Sequence, residues 1–150
     1  MDIRNITDDF SVSPQIAEAD LAAVREEGFR SIICNRPDGE EPGQPVFAEL
    51  AGTAQELGME ARSIPIRGAP VAEADVAAFR RALADLPKPI LAYCRTGTRS
   101  AILWSLAQEN KMSLEDIISA TGRAGYDVAP VLHAAIGSSG ASSASTGAKR

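Results

Sequence analysis

Apolar residues recur along this chain in two rhythms, and the rhythms alternate. The short apolar run Ile90-Leu91-Ala92-Tyr93-Cys94 reads as a buried parallel strand, and Ser31-Ile32-Ile33-Cys34-Asn35 is a further strand candidate. Between and around them apolar positions fall three and four apart. Leu21 and Val24 lie within Ala17–Glu27; Phe47, Leu50, Ala54 and Leu57 form a second set, and Val76, Phe79, Leu83 and Leu86 a third. Each set predicts a helix with one apolar face. Gly28 and Gly58 are placed as C-terminal stops and Pro87 ends the third helix. Residues 60–66, Glu-Ala-Arg-Ser-Ile-Pro-Ile, predict a strand with Pro65 near its end, where a lost pairing costs least. The opening, Ile3 to Val12, places β-formers around Thr7-Asp8-Asp9 and predicts a small hairpin or edge strand.

The remaining stretches are set by breakers and caps. Arg36 to Pro45, with three prolines and two glycines, predicts a loop. Ala101 to Gln108 predicts a helix, as does Ser113 to Arg123 with Ser113 as N-cap, and a short element is expected around Pro130 to Ile136. From Gly137 the chain is almost wholly Gly, Ser and Ala, which cannot bury a core and predicts a disordered tail. Alternating strand and helix predicts the α/β class: three layers, with a mostly parallel central sheet flanked by helices. One domain over residues 1–136 and a tail over 137–150 are expected.

Composition narrows the function classes. Of 150 residues, 45% are hydrophobic and 23% charged, the balance of a soluble globular protein. There is no apolar run long enough to span a membrane, and Met1-Asp2-Ile3-Arg4-Asn5 lacks the basic-then-apolar pattern of a secretory signal, so the cytoplasm is the expected location. A net charge of −5 argues against nonspecific nucleic-acid binding. Two cysteines, Cys34 and Cys94, far apart in sequence, suit a reducing compartment better than a disulfide framework. With one histidine, His133, in a short apolar segment that suggests a structural role, and no C-x-x-C pair, no metal or other cofactor is expected.

The chemistry concentrates where the strand ending at Cys94 meets Arg95-Thr96-Gly97-Thr98-Arg99-Ser100 and then a helix. Such a loop must reverse into a helix N-terminus, where unpaired N–H groups and the helix dipole attract negative charge. A cysteine held there has its thiolate stabilised. Gly97 lets the backbone curl, and Arg99 can clamp an oxyanion through two N–H groups. In parallel α/β sheets ligands bind at the carboxyl ends of strands. Arg36 and Arg67 follow two such strand ends, as Arg95 and Arg99 follow the third. Four cations are thereby expected at one rim around the thiol, although Arg36 and Arg67 could equally extend into solvent.

The loop resembles two related enzyme groups. Dual-specificity and tyrosine phosphatases place five residues between a His-Cys pair and the arginine, whereas rhodanese-type sulfurtransferases use Cys-Arg-x-Gly-x-Arg. Cys94 to Arg99 matches the shorter form, with four intervening residues. Together with Ile6 to Gln15 and Ser31 to Glu40, the segment Leu91 to Ala101 resembles the beta-lactamase-hydrolase-like family. That bacterial family has a phosphatase-like domain carrying a sulfurtransferase-like loop, and some members are fused to a metallo-β-lactamase-type domain that oxidises persulfides. The resemblance covers residues 3–136. It implies a dual-specificity/tyrosine-phosphatase-like fold, with Cys94 as nucleophile.

Departures from the phosphatase pattern point to sulfur. Tyr93 replaces the usual histidine, the loop is one residue short, and Ile64-Pro65-Ile66-Arg67-Gly68 carries no carboxylate where those phosphatases keep a general acid. Glu73 and Asp75 lie later, where they suit a helix N-terminus. An alkoxide leaving group needs that proton, an effect worth roughly 10²–10⁴ in rate. Sulfite or a thiol leaving a sulfane sulfur needs little such help.

The expected function is sulfur transfer from thiosulfate or a persulfide, through a Cys94 persulfide, to an acceptor thiol or cyanide. Cys94 and Arg99 would act directly. The anion would be held by Arg95, Thr96, Gly97, Thr98 and Ser100, with Arg36 and Arg67 at the rim. A weak phosphatase working through a phosphocysteine is the alternative, and a noncatalytic persulfide- or oxyanion-binding module the third. Cys34 is either core filling or a resolving thiol for oxidised Cys94.

Overall fold

The structure, a computed structural model, describes residues 1–135; Ile136 and the expected tail from Gly137 lie outside the described residues. Strands β1 (Arg4–Thr7), β2 (Phe10–Ser13), β3 (Ser31–Cys34), β4 (Glu60–Ser63) and β5 (Ile90–Tyr93) form one sheet in the order β1-β2-β5-β3-β4. The first two form an antiparallel hairpin, as expected of the opening segment. All other neighbours are parallel. β5 therefore lies in the middle of the sheet, between β2 and β3.

Alternation along the central strands sorts side chains onto two faces. Ile32, Cys34, Leu91 and Tyr93 pack with Leu21, Val24 and Leu50, which belong to α1 (Leu21–Glu26) and α2 (Phe47–Glu56). Ile33, Ile90 and Ala92 pack on the other face with Phe79, Leu103 and Ile117. These come from α3 (Glu73–Asp85), α4 (Thr98–Ala107) and α5 (Leu114–Arg123). Phe10 joins this second core, stacked on Trp104 at 5.9 Å and edge-on to Phe79 at 6.0 Å. Every residue of β2, β3 and β5 is buried, because helices cover both faces. The fold is three-layered α/β with a mostly parallel sheet.

Several boundaries differ from expectation for local reasons. The helix expected over Ala17–Glu27 is a short 3₁₀ turn, Glu18–Asp20, followed by α1, and the Asp20 carboxylate accepts from the Ala17 N–H at 2.8 Å. The strand expected over 60–66 is regular only to Ser63. Beyond it the Ile64 and Ile66 N–H groups still donate to the Cys34 and Asn35 carbonyls, at 2.8 and 3.1 Å. Pro65 falls between those two donors and loses no bond. Residues 129–135 are helical; there Leu132 is buried, while His133, of which a structural role was expected, is exposed.

Candidate active site

Cys94 directly follows β5 and has no exposed surface. The Gly97 N–H donates to Cys94 Sγ at 3.0 Å. Gly97 is itself the N-cap of α4, at φ 93°, so the chain turns into the helix within the loop. The helix was expected from Ala101; it begins three residues earlier, because a left-handed residue at 97 completes the reversal by itself. Thr98, Arg99 and Ser100 thus form its first turn. N–H groups there have no preceding helical carbonyl to meet, and the dipole is positive at that end, so the turn can receive an anion.

Two contacts hold the turn from outside. The Ser100 hydroxyl donates to Asn35 Oδ1 at 2.8 Å, and Asn35 Nδ2 donates to the Ile64 carbonyl at 2.8 Å. This buried chain ties α4 to the ends of β3 and β4. On the other side the Tyr126 hydroxyl donates to the Thr96 carbonyl at 3.2 Å and packs against Gly97, where a Cβ would collide with it. Neither Asn35 nor Tyr126 was singled out from the sequence.

Arg36, Arg67, Arg95 and Arg99 line one open hollow of about 530 Å³, together with Thr96 and Thr98. Glu40 and Glu41 line it too, and they change its electrostatics. Arg36 is almost fully buried, and all three of its nitrogens are engaged. Nε donates to Glu40 at 2.8 Å, one terminal nitrogen to Gln15 Oε1 at 3.0 Å and the other to Glu41 at 2.6 Å. Arg36 is thus a buried anchor rather than a solvent-facing rim cation. Arg99 donates through both terminal nitrogens to the two oxygens of Glu40, at 2.8 and 2.9 Å, and also to the Ile66 carbonyl at 2.9 Å. Hydrogen bonding from Arg99, followed by that from Arg36, outweighs partial burial and pulls the Glu40 carboxyl down to about 2. Arg95 approaches Glu41 at 3.6 Å, while Arg67 is exposed and makes no ion pair among the described residues.

The loop presenting Glu40 is pinned. Gln44 Oε1 accepts from the Glu40 and Glu41 N–H groups, at 3.0 and 3.3 Å, and Gln44 Nε2 donates to the Pro37 carbonyl at 2.9 Å. Asp38 accepts from the Phe47 N–H at 3.0 Å, capping the start of α2. A carboxylate pair in a proline- and glycine-rich stretch reads as solvated surface, so sequence alone did not place Glu40 on Arg99.

Cys34 packs beside Tyr93 in the α1–α2 core and its thiol donates to the Arg36 carbonyl at 3.3 Å. Burial pushes the Cys34 thiol up and the Tyr93 phenol far up, so both stay protonated. Glu73 and Asp75 lie in the first turn of α3. Among the described residues no group of His, Cys, Asp and Glu is arranged to hold a metal ion. No helix among them is long and apolar enough to cross a membrane.

Comparison with known proteins shows a family and a fold. Residues 2–111 match the family described as beta-lactamase hydrolase-like protein, phosphatase-like domain. A beta-lactamase hydrolase-like protein of Agrobacterium fabrum is 34% identical over 125 residues, which are 82% of this chain and 29% of that protein. The chain therefore spans under a third of that curated relative. A crystal structure from Neisseria meningitidis, described as a candidate phosphatase, is 34% identical with a TM-score of 0.76, covering 85% of this chain and 92% of the other. The catalytic domain of a Saccharomyces cerevisiae PP-IP phosphatase, bound to citrate, shares the fold at 15% identity and TM-score 0.61, covering 93% of each chain.

Proposed function

The chain belongs to the phosphatase-like domain family of the beta-lactamase hydrolase-like proteins, and from that premise we propose that it transfers sulfane sulfur through Cys94. Its fold is that of the cysteine-dependent phosphatases. The observation that carries the sulfur reading is the short loop: four residues separate Cys94 from Arg99, and the Gly97 N–H already meets Sγ at 3.0 Å. A ring this tight suits one sulfur atom better than a tetrahedral phosphoryl group. The carboxylates of the hollow add support. Arg99 and Arg36 keep Glu40 ionised, so it is not the protonated acid that an alkoxide leaving group needs.

The Cys94 thiolate attacks the outer sulfur of a low-molecular-weight persulfide or of thiosulfate. A bond forms between Sγ and that sulfur while the donor S–S bond breaks, and its electron pair departs with a thiolate or with sulfite. An acceptor thiolate then attacks the terminal sulfur of the Cys94 persulfide, takes it away and restores the Cys94 thiolate. No oxidant is consumed. The N–H groups at the start of α4 stabilise the charge on sulfur, and Arg99 orients the donor.

Intact-protein mass spectrometry after incubation with thiosulfate, and separately with glutathione persulfide, tests this. The expected result is the gain of one sulfur, lost on adding acceptor thiol and absent in Cys94→Ser. No gain from either donor would overturn the proposal. The fold and the Neisseria relative favour a second reading, a phosphatase acting through a phosphocysteine. Cys94-dependent hydrolysis of an aryl phosphate, without sulfur uptake, would establish it.

A further inference from the structure

Arg99 does not wait with an open fork. Both of its terminal nitrogens are taken by the two oxygens of Glu40, the bidentate geometry in which a guanidinium holds an oxyanion. A third bond, from Arg36 Nε, fixes the same carboxylate from a buried guanidinium. Gln44 fixes its backbone, and the Glu40 side chain retains 22% exposure. Glu40 is therefore a placed internal anion, not a surface residue that happens to lie near an arginine. Cys94 is fully buried and its sulfur lies near enough to Arg99 to interact with the guanidinium, so a donor held by Arg99 at Sγ meets Glu40 as a competitor.

The charge of the hollow follows. Four guanidinium groups against two carboxylates leave the lining a formal +2, and the proposed Cys94 thiolate, at the base of the loop that supplies Arg95 to Arg99, would bring the site to +1. One more negative charge is balanced by this surplus; a second needs the Arg99 fork, which Glu40 already fills. We propose that Glu40 is a specificity-determining residue that selects the donor by charge, disfavouring dianions and favouring donors that carry at most one negative charge at the reacting end. This rests on the sulfur-transfer reading and refines it: an alkyl persulfide fits, whereas thiosulfate and phosphate monoesters, both dianions, must compete with Glu40 for Arg99.

The test uses unreactive anions, so it does not depend on turnover. Sulfate (a dianion) and nitrate (a monoanion) are titrated into the protein and followed through the backbone amide NMR signals of Thr96 to Ser100. Glu40→Gln keeps the shape of the side chain, removes its charge and replaces one of the two oxygens that accept from Arg99 with an N–H donor, so the bidentate pair cannot form. The expected result is sulfate binding tightened by about tenfold or more in Glu40→Gln. Nitrate binding should change by less than about threefold. Glu41→Gln raises the net charge of the hollow by the same unit but leaves Glu40 on the Arg99 fork, so it should tighten sulfate binding by less than about threefold. Unchanged or undetectable sulfate binding in Glu40→Gln, or an equal effect in Glu41→Gln, overturns the inference. Amide spectra of the variants outside the loop confirm that the fold is intact. Sulfur uptake by Cys94 is measured separately, so this selection can fail while sulfur transfer stands, and the reverse.

Discussion

The Ser100 hydroxyl donates to Asn35 Oδ1 at 2.8 Å, a buried bond that fastens the first turn of α4 to the end of β3. Asn35 also donates to the Ile64 carbonyl, so one side chain ties three elements at the base of the Cys94 loop. Truncation in Asn35→Ala leaves the Ser100 hydroxyl and the Ile64 carbonyl unpaired in the interior. That should cost about 1–3 kcal/mol, read as a lower urea midpoint at unchanged slope. Sulfur uptake by Cys94 should slow as well, since the turn carrying Arg99 loses its anchor. An unchanged midpoint would show the bond to be energetically idle.

Gly97 is constrained twice, by its φ of 93° and by the Tyr126 hydroxyl lying where a Cβ would go. Gly97→Ala should therefore displace the N–H that meets Cys94 Sγ and cut the rate of persulfide formation by about tenfold or more. Adding Tyr126→Phe removes the colliding oxygen but not the backbone strain. The double variant should recover part of the lost rate, and no recovery would exclude the collision as a cause.

These two constraints differ in how far they were legible. Gly97 stood out because a glycine between two arginines, after a buried strand, has few other uses. Tyr126 did not, since nothing in the sequence links it to a loop some 30 residues earlier. The central strands and the positions of Cys94 and Arg99 were readable because burial on both faces leaves continuous apolar runs. The start of α4 was misplaced because Thr98 and Ser100 have modest helix propensity, which the turn geometry at Gly97 outweighs. Arg36 was placed correctly after its strand, yet its burial depends on Gln15, Glu40 and Glu41, pairings that no local pattern encodes.

Arg36 and Arg99 should separate when each is replaced by alanine. Arg99→Ala removes the group proposed to hold the donor, so the apparent KM should rise by about tenfold or more with a smaller change in kcat. Arg36→Ala strips Gln15 and two carboxylates of a buried partner, and its main effect should be a loss of stability. Steady-state kinetics and urea unfolding on both variants check the contrast, and a pure KM effect in Arg36→Ala would contradict it.

Cys34 offers a simpler check. Its buried, protonated thiol bonds the Arg36 carbonyl and packs with Tyr93 on the α1–α2 side of the sheet. Cys34→Ala should keep sulfur transfer within about twofold of the parent. Peptide mapping of oxidised wild-type protein should find no Cys34–Cys94 disulfide. Finding that disulfide would revive a resolving role.

Glu40 predicts a specific pH dependence. Arg99, and then Arg36, lower its carboxyl from 4.5 to about 2 in the folded chain. Between those values the unfolded chain binds a proton that the folded chain does not, so stability rises with pH across that window. The contribution of the ionised carboxylate is complete above pH 4.5, declines as pH falls, and is gone below about pH 2. Glu40→Gln has no such proton to exchange. Urea midpoints of the parent and variant should therefore differ by a constant amount above pH 4.5, and the difference should shift steadily in the variant's favour on acidification. High salt should shrink the plateau, because the pair is only partly shielded from solvent. Parallel pH profiles for the two proteins would mean that Glu40 is not held on Arg99 in solution, and would remove the basis for selection by charge.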